Sequence, residues 1–315
     1  MNKSVLLIGT GPMAIEYAKV LEYQKIDFRV IGRGEKSAST FEMETGVKPI
    51  IGGVDVYVSQ YEMRPNTYVI IAIGTESLMS ALLLVLKAGA AKVLIEKPAA
   101  ISIEELTANE ENLKPFFDKI YVAYNRRFYA SVLEAQKMIE EDGGLQTMHF
   151  EFTEWAHKIE PLTKALGVKE NWFFANSTHV VNLAFFVGGL PENWNAYSKK
   201  GTLAWHAKSS FAGAGITEKG VLFSYISNWE SAGRWGIEFM TKQRRIYLKP
   251  LEKIGVQQKG SMVITEHIFD DSIDLNFKAG LFKQTIAFLE NDNSKLISIN
   301  EHLKMSSDVF SKFLH

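Results

Sequence analysis

The chain has 315 residues, 46% of them apolar and 23% charged, with a formal net charge of −1 and no cysteine. That length accommodates two domains of ordinary size, and the composition is globular, neither disordered nor membrane-like. The balanced charge gives no electrostatic reason to expect a nucleic-acid or membrane partner, and the lack of cysteine excludes disulfides, thiolate catalysis and cysteine-bound metal.

The first apolar run, Val5-Leu6-Leu7-Ile8, stops at Gly9. It is too short for a signal-peptide core, and no run of transmembrane length follows, so the expected location is cytoplasmic. Apolar strands are expected at Val5 to Ile8, Phe28 to Ile31, Tyr68 to Ile73, Val93 to Ile95 and Ile120 to Ala123. Helical patterns alternate with them over Met13 to Tyr23 and Glu76 to Ala88, and Ser102 with Glu105 has the spacing of a capping box. Val54 to Tyr61 fits a strand or a helix equally well. Strands of continuous apolar residues separated by helices imply a parallel sheet covered on both faces.

The texture changes after Tyr124. Helices are expected at Tyr129 to Glu141, closed by Gly143-Gly144, at Ser177 to Val187, ended by Gly188-Gly189, and at Lys278 to Glu290. Strand-like segments fill Thr147 to Ala156, Gly220 to Trp229, Gly236 to Phe239, Arg245 to Leu248 and Met262 to Ile268. Strands in succession imply a mostly antiparallel sheet. The expected architecture is therefore α/β: a doubly wound Rossmann domain over 1–124, then an α+β domain over 125–315.

Gly9-Thr10-Gly11-Pro12-Met13-Ala14 lies between a predicted strand and a predicted helix, the context that a dinucleotide fingerprint needs. Gly9 permits the tight turn, Gly11 lets the backbone approach a pyrophosphate, and Ala14 keeps helix and strand close. The helix N-terminus offers N–H groups and a positive dipole end to phosphates, and Pro12 removes a donor that would go unpaired there. The competing reading is another nucleotide, such as S-adenosylmethionine. The second strand ends Val30-Ile31-Gly32-Arg33-Gly34, with no acid at 31 to 34 to accept from an adenosine ribose. Arg33, with Lys36 and Ser37 or Ser39 nearby, suits a 2′-phosphate and hence NADP; alternatively Arg33 is solvated and Glu35 reaches the ribose of NAD.

Taken together, the glycine turn, Glu96-Lys97-Pro98, Val122-Ala123-Tyr124-Asn125-Arg126-Arg127-Phe128, Ser177-Thr178-His179-Val180-Val181-Asn182-Leu183 and Gly188-Gly189-Leu190-Pro191 resemble the glucose–fructose oxidoreductase/inositol dehydrogenase (Gfo/Idh/MocA) family. The resemblance implies an NAD(P)-dependent oxidoreductase moving hydride between nicotinamide and a hydroxyl or carbonyl of a sugar, polyol or related small molecule. It also implies a homodimer or homotetramer assembled through a large open sheet of the second domain. Lys97 would contact the reacting substrate oxygen near the nicotinamide, and His179 would be the general acid/base. Glu96 and Thr75 fall in the cofactor region, with Glu96 expected on the opposite side of its strand from Lys97.

Two positions depart from the family pattern: Ala175 and Asn182 stand where many members carry aspartates flanking the histidine. Losing those carboxylates removes groups that would raise the basicity of His179. That keeps open a non-catalytic cofactor-binding protein, and an NAD-dependent glycosidase is a further alternative.

An ammonium at Lys97 suits stabilisation of a developing alkoxide, and an imidazole at His179 suits proton transfer near neutrality. Asn125, Arg126, Trp155 and Trp172 are the substrate candidates beside His179, with His157, Arg234 and Trp235 of similar character. Aromatic packing within a sheet or an interface explains the tryptophans equally well. His149 and His157 could share a strand face, but no third ligand stands at metal spacing, so no metal site is expected.

Overall fold

A computed structural model describes residues 4–315; residues 1–3, which open the first predicted domain, lie outside the described residues. Two compact units emerge. One reaches to Asn125 and takes up Asn276–Met305; the other comprises Arg126–Leu275 and Ser306–His315.

In the first unit the apolar runs become β1 (Ser4–Ile8), β2 (Phe28–Gly32), β3 (Ile50–Ile51), β4 (Thr67–Ile71), β5 (Lys92–Glu96) and β6 (Ile120–Ala123). The order across the sheet is β6-β5-β4-β1-β2-β3, every pair parallel, with an antiparallel strand Ile297–Ser298 beside β6. Chain order reverses between β1 and β4, the switch point at which open α/β sheets leave a crevice. Helix Pro12–Tyr23 buries Ala14, Tyr17, Ala18, Val20 and Leu21, and Leu78–Lys87 buries Leu78, Leu82 and Val85. Full burial of each such large apolar side chain contributes about 1.5–3 kcal/mol. The undecided segment Val54 to Tyr61 is a helix, Gly53–Gln60, with Val54 and Tyr57 buried. Ser102 Oγ accepts from Glu105 N–H at 3.1 Å, and Glu105 reaches back to Ile101 N–H at 2.7 Å.

The return of Asn276–Met305 to this unit differs from the sequence division, which assigned everything from 125 onward to the second domain. The physical reason lies at the start of β5. Lys92, only 6% exposed, donates to the Phe288 carbonyl (3.2 Å) and to the side-chain oxygens of Asn291 (3.1 Å) and Asn293 (3.0 Å). A buried ammonium needs such acceptors, and the end of helix Leu281–Glu290 supplies them.

The second unit is built on β7 (Thr147–Glu151), β8 (Pro191–Lys199), β9 (Ser210–Thr217), β10 (Leu222–Asn228), β11 (Gly236–Met240), β12 (Arg244–Leu248), β13 (Gly255–Gln258) and β14 (Ile264–Glu266). Their order is β14-β13-β12-β11-β7-β10-β9-β8, antiparallel throughout except for the parallel pair β7–β10. Along β10, Phe223, Tyr225 and Ser227 are buried while Leu222, Ser224, Ile226 and Asn228 are exposed, so one sheet face is core. Phe150 stacks on Tyr225 at 5.3 Å and meets Phe185 of helix Thr178–Gly188 edge-on at 5.6 Å.

Three of these strands, β8, β9 and β13, were not anticipated. β9 reads SFAGAGIT, a poor strand by propensity. Its glycines serve the neighbouring rings instead: a Cβ at Gly213 would lie 2.5 Å from the Tyr225 ring, and one at Gly215 would collide with Trp194. Conversely, the strand expected to reach Ala156 stops at Glu151, and His157 sits in the helical turn Ala156–Ile159. His149 and His157 therefore do not share a strand face. No helix among the described residues is long and apolar enough to cross a membrane.

Candidate functional site

In the first unit the candidate site is the mouth of the β1–β4 crevice. Gly9 leaves β1 with φ +126°, and a Cβ there would overlap the Ala72 carbonyl oxygen and sit 2.8 Å from its carbon. Gly9 N–H donates to Ile31 O at 2.9 Å, and Ala72 N–H donates to Ile8 O at 2.8 Å. The exit of β1 thus lies flat against the exit of β4, which only glycine permits. Gly11 is different: its φ is −82°, and a Cβ there would meet nothing within 4 Å. Open space beside the backbone at the N-cap of helix Pro12–Tyr23 is what a pyrophosphate requires. Thr10 Oγ donates to Ser37 Oγ at 2.9 Å, which donates to Gly34 O at 3.1 Å, joining this turn to the one after β2. There Arg33, Glu35, Lys36 and Ser37 are all exposed. Pro12 is exposed, Met13 is half-buried, and half-buried Thr75 opens a single tight turn, Thr75–Ser77, after β4.

Lys97 follows β5. Ala99 N–H donates to Glu96 O at 3.0 Å, closing a turn around Lys97 and the cis Pro98. Three side chains hold this turn. Tyr17 OH donates to Glu96 Oε1 at 2.9 Å, Gln284 Nε2 donates to Tyr17 OH at 3.3 Å, and His302 Nε2 donates to Pro98 O at 2.9 Å. The Glu96 carboxylate, expected among the cofactor contacts, is engaged by the first helix. Sequence reasoning missed Gln284 and His302, which arrive on the returning segment.

Burial pushes the Glu96 pKa up from 4.5, against the pull of the Tyr17 hydroxyl and the Lys97 ammonium. Burial and the adjacent carboxylate push Tyr17 well above its ordinary value. A carboxyl whose folded pKa is raised binds its proton more tightly when folded, so stability falls as pH rises through the window just above 4.5. Removing the Tyr17 donor raises that pKa further. Tyr17→Phe is therefore expected to cost about 1.5–3 kcal/mol where Glu96 is ionised. The loss should be smaller at about pH 5 than at about pH 8, read from denaturant midpoints. Equal losses at both would show that the hydroxyl does not serve the ionised carboxylate.

In the second unit, helix Thr178–Gly188 continues from a wide helical turn, Phe173–Ser177, and places buried His179 in its first turn. The ring of His179 lies 6.1 Å from that of buried Trp235. The guanidinium of Arg126 stands 4.6 Å over Trp235, and that of Arg234 stands 4.7 Å from both Trp235 and Trp155. Trp155 Nε1 donates to Gly233 O at 2.9 Å. Below them Glu154, 1% exposed, accepts from Asn176 Nδ2 (2.9 Å), Ser177 Oγ (2.8 Å) and Arg234 Nη1 (3.3 Å). Glu154 was not singled out from sequence; an acid set between Phe152-Thr153 and Trp155 was the available signal.

Not every candidate joins this cluster. Trp172 packs edge-on against Trp205 at 6.4 Å, and Asn125, at the end of the first unit's leading segment, donates to Ala279 O at 2.9 Å. Asn182 is fully buried and accepts from Arg127 Nε at 2.8 Å, while Ala175 is buried in the wide turn. An amide oxygen thus meets Arg127 where a carboxylate would have formed an ion pair. Among the described residues no group of three or more histidines and carboxylates is arranged to hold a metal.

No family model matches the sequence, and no curated protein does. Solved structures match over the whole chain. One is an oxidoreductase from Agrobacterium radiobacter in complex with NAD+, L-tartaric acid and magnesium, at TM-score 0.75 and 14% identity, covering 100% of this chain and 97% of that one. Another is levoglucosan dehydrogenase in complex with NADH and L-sorbose, at 0.76 and 16%, covering 100% and 96%. A third is UDP-N-acetylglucosamine 3-dehydrogenase from Acidithiobacillus ferrooxidans, at 0.70 and 12%, covering 100% of both chains. At these identities the likeness establishes a shared fold, a parallel Rossmann-type sheet followed by a largely antiparallel one.

Proposed function

We propose that the protein is an NAD(P)-dependent oxidoreductase acting on a hydroxyl or carbonyl of a sugar-like small molecule. The observation that carries this reading is the paired behaviour of the fingerprint glycines: Gly9 is pressed on the Ala72 carbonyl, and Gly11 is open at a helix N-terminus. Three solved proteins of this fold are described as bound to NAD+ or NADH, or as NADPH-dependent. Gly9, Thr10, Gly11, Pro12 and Met13 would hold the pyrophosphate, with Thr75 toward the nicotinamide. Arg33 is exposed after β2 with no acid at 31 to 34, which favours NADP over NAD. The cofactor supplies the hydride acceptor or donor.

The chain's own residues do the rest. Lys97 stabilises negative charge on the substrate oxygen, and His179 accepts or returns its proton. A levoglucosan and a nucleotide-sugar dehydrogenase among proteins of this fold support a sugar-like substrate. The exposed face of the second sheet, with Tyr197, Leu222 and Ile226 bare, suits assembly into a homodimer or homotetramer. Ala175 and Asn182 support a second reading, cofactor binding without turnover.

The deciding experiment titrates the protein with NADPH and NADH, then follows nicotinamide absorbance across a panel of sugars and polyols. Dinucleotide binding with substrate-dependent absorbance change is expected. Binding with no change across the panel would favour the second reading, and no binding of either dinucleotide would sink both.

A further inference from the structure

We propose that Arg126 is the seat of an anionic group, a carboxylate or a phosphate, carried by the sugar-like substrate. The inference rests on the reading above that this unit meets the substrate, and it narrows the substrate class to acidic molecules.

The unit contains five arginines, and four have acceptors. Arg127 bonds Asn182, Arg234 bonds Glu154, Arg244 bonds Asp142, and Arg245 bonds Glu238. Arg126 alone has none: among the described residues its guanidinium makes no hydrogen bond and no ion pair, and its Nε is buried without a partner. Its neighbours are the faces of Trp235 at 4.6 Å and Tyr129 at 5.8 Å. Rings ease the desolvation of a cation but do not satisfy its five donors. A half-buried charge left in this state is costly unless something arrives to pair with it.

The surroundings point to what arrives. Trp235 is bordered by two guanidiniums and by the His179 imidazole, and its Nε1–H is buried without an acceptor. Two carboxylates act on Arg126 without bonding it: Glu154 is taken by Arg234, Asn176 and Ser177, and Glu252 is bonded to Tyr129. The donors Arg126 Nε and Trp235 Nε1 are therefore left without acceptors among the described residues. Hydroxyl groups of a neutral polyol would leave the Arg126 guanidinium without an anion in direct contact, with only the more distant pull of Glu252 and Glu154. A carboxylate or phosphate would take the planar fork in two parallel hydrogen bonds.

The test is calorimetric titration of the full chain, with nicotinamide dinucleotide present, by D-glucuronate, D-galacturonate, D-gluconate, a hexose phosphate, D-glucose and myo-inositol. The acids should bind more tightly than the neutral compounds, and whether the carboxylates or the phosphate lead identifies the group. Arg126→Met should weaken acid binding by about 10- to 100-fold, while dinucleotide affinity and the thermal midpoint hold. Arg126→Lys should recover part of the loss. Neutral sugars binding as well as the acids, no acid binding at all, or Arg126→Met binding acids like the wild type would each overturn the proposal. The outcome is separable from the enzymatic reading: acids bound without nicotinamide turnover would remove the enzyme and keep the anion seat, whereas turnover of neutral sugars with no acid preference would do the reverse.

Discussion

Replacing Lys97 by alanine is expected to lower kcat by roughly 100- to 1,000-fold, the usual cost of removing one group that stabilises an oxyanion, while fold and dinucleotide binding survive. The turn around Lys97 is closed through backbone atoms, Ala99 N–H to Glu96 O, and buttressed through the carbonyl of Pro98 and the carboxylate of Glu96. None of these contacts uses the lysine side chain. Its ammonium does pull the Glu96 pKa down, so its loss leaves Glu96 easier to protonate. That predicts a second, smaller signature: Lys97→Ala should be most nearly wild-type in stability at acid pH, where Glu96 carries no charge in either protein. Steady-state kinetics, thermal unfolding and dinucleotide titration on one preparation separate these effects. Wild-type kcat in the variant would take Lys97 out of the chemistry.

The first unit was legible because its strands are continuous apolar runs bounded by glycine, and because the fingerprint glycines stand where a strand hands over to a helix. Burial on both sheet faces writes itself into consecutive residues. The segment Asn276–Met305 was not legible. Nothing local shows that Asn291 and Asn293 answer a lysine some two hundred residues earlier, or that His302 bonds the carbonyl of Pro98.

β9 was lost for a related reason. Its glycines are chosen by rings on adjacent strands, and propensity reports only on a residue's own backbone. The adjacent pair Arg126-Arg127 shows the limit most clearly. In sequence they are equivalent, but one donates to Asn182, while the Nε of the other is buried without a hydrogen-bond partner among the described residues. Which arginine is spoken for depends on what the fold brings near it.

Gly9→Ala and Gly11→Ala should fail in opposite ways, and the contrast tests the cofactor assignment without substrate. At Gly9 the backbone sits at φ +126°, and the new methyl would overlap the Ala72 carbonyl. Strain of this kind costs about 1–3 kcal/mol before the overlap is counted. The backbone just after β4 cannot swing aside as a flexible side chain would, since Ala72 N–H is bonded to Ile8 O. A total near 3 kcal/mol would lower the thermal midpoint by about 6–12 °C in a unit of this size.

At Gly11 the backbone is ordinary and the methyl would enter open space. Stability should therefore stay within about 0.5 kcal/mol of wild type. If that space is where the pyrophosphate lies against the helix N-terminus, the same methyl should weaken dinucleotide binding by about tenfold or more, some 1.4 kcal/mol. The two variants thus divide one motif into a residue that makes the turn and a residue that leaves room. A Gly11→Ala protein that is stable and binds NADPH and NADH like the wild type would mean that no phosphate passes there. The cofactor, and with it the oxidoreductase reading, would then have to be given up.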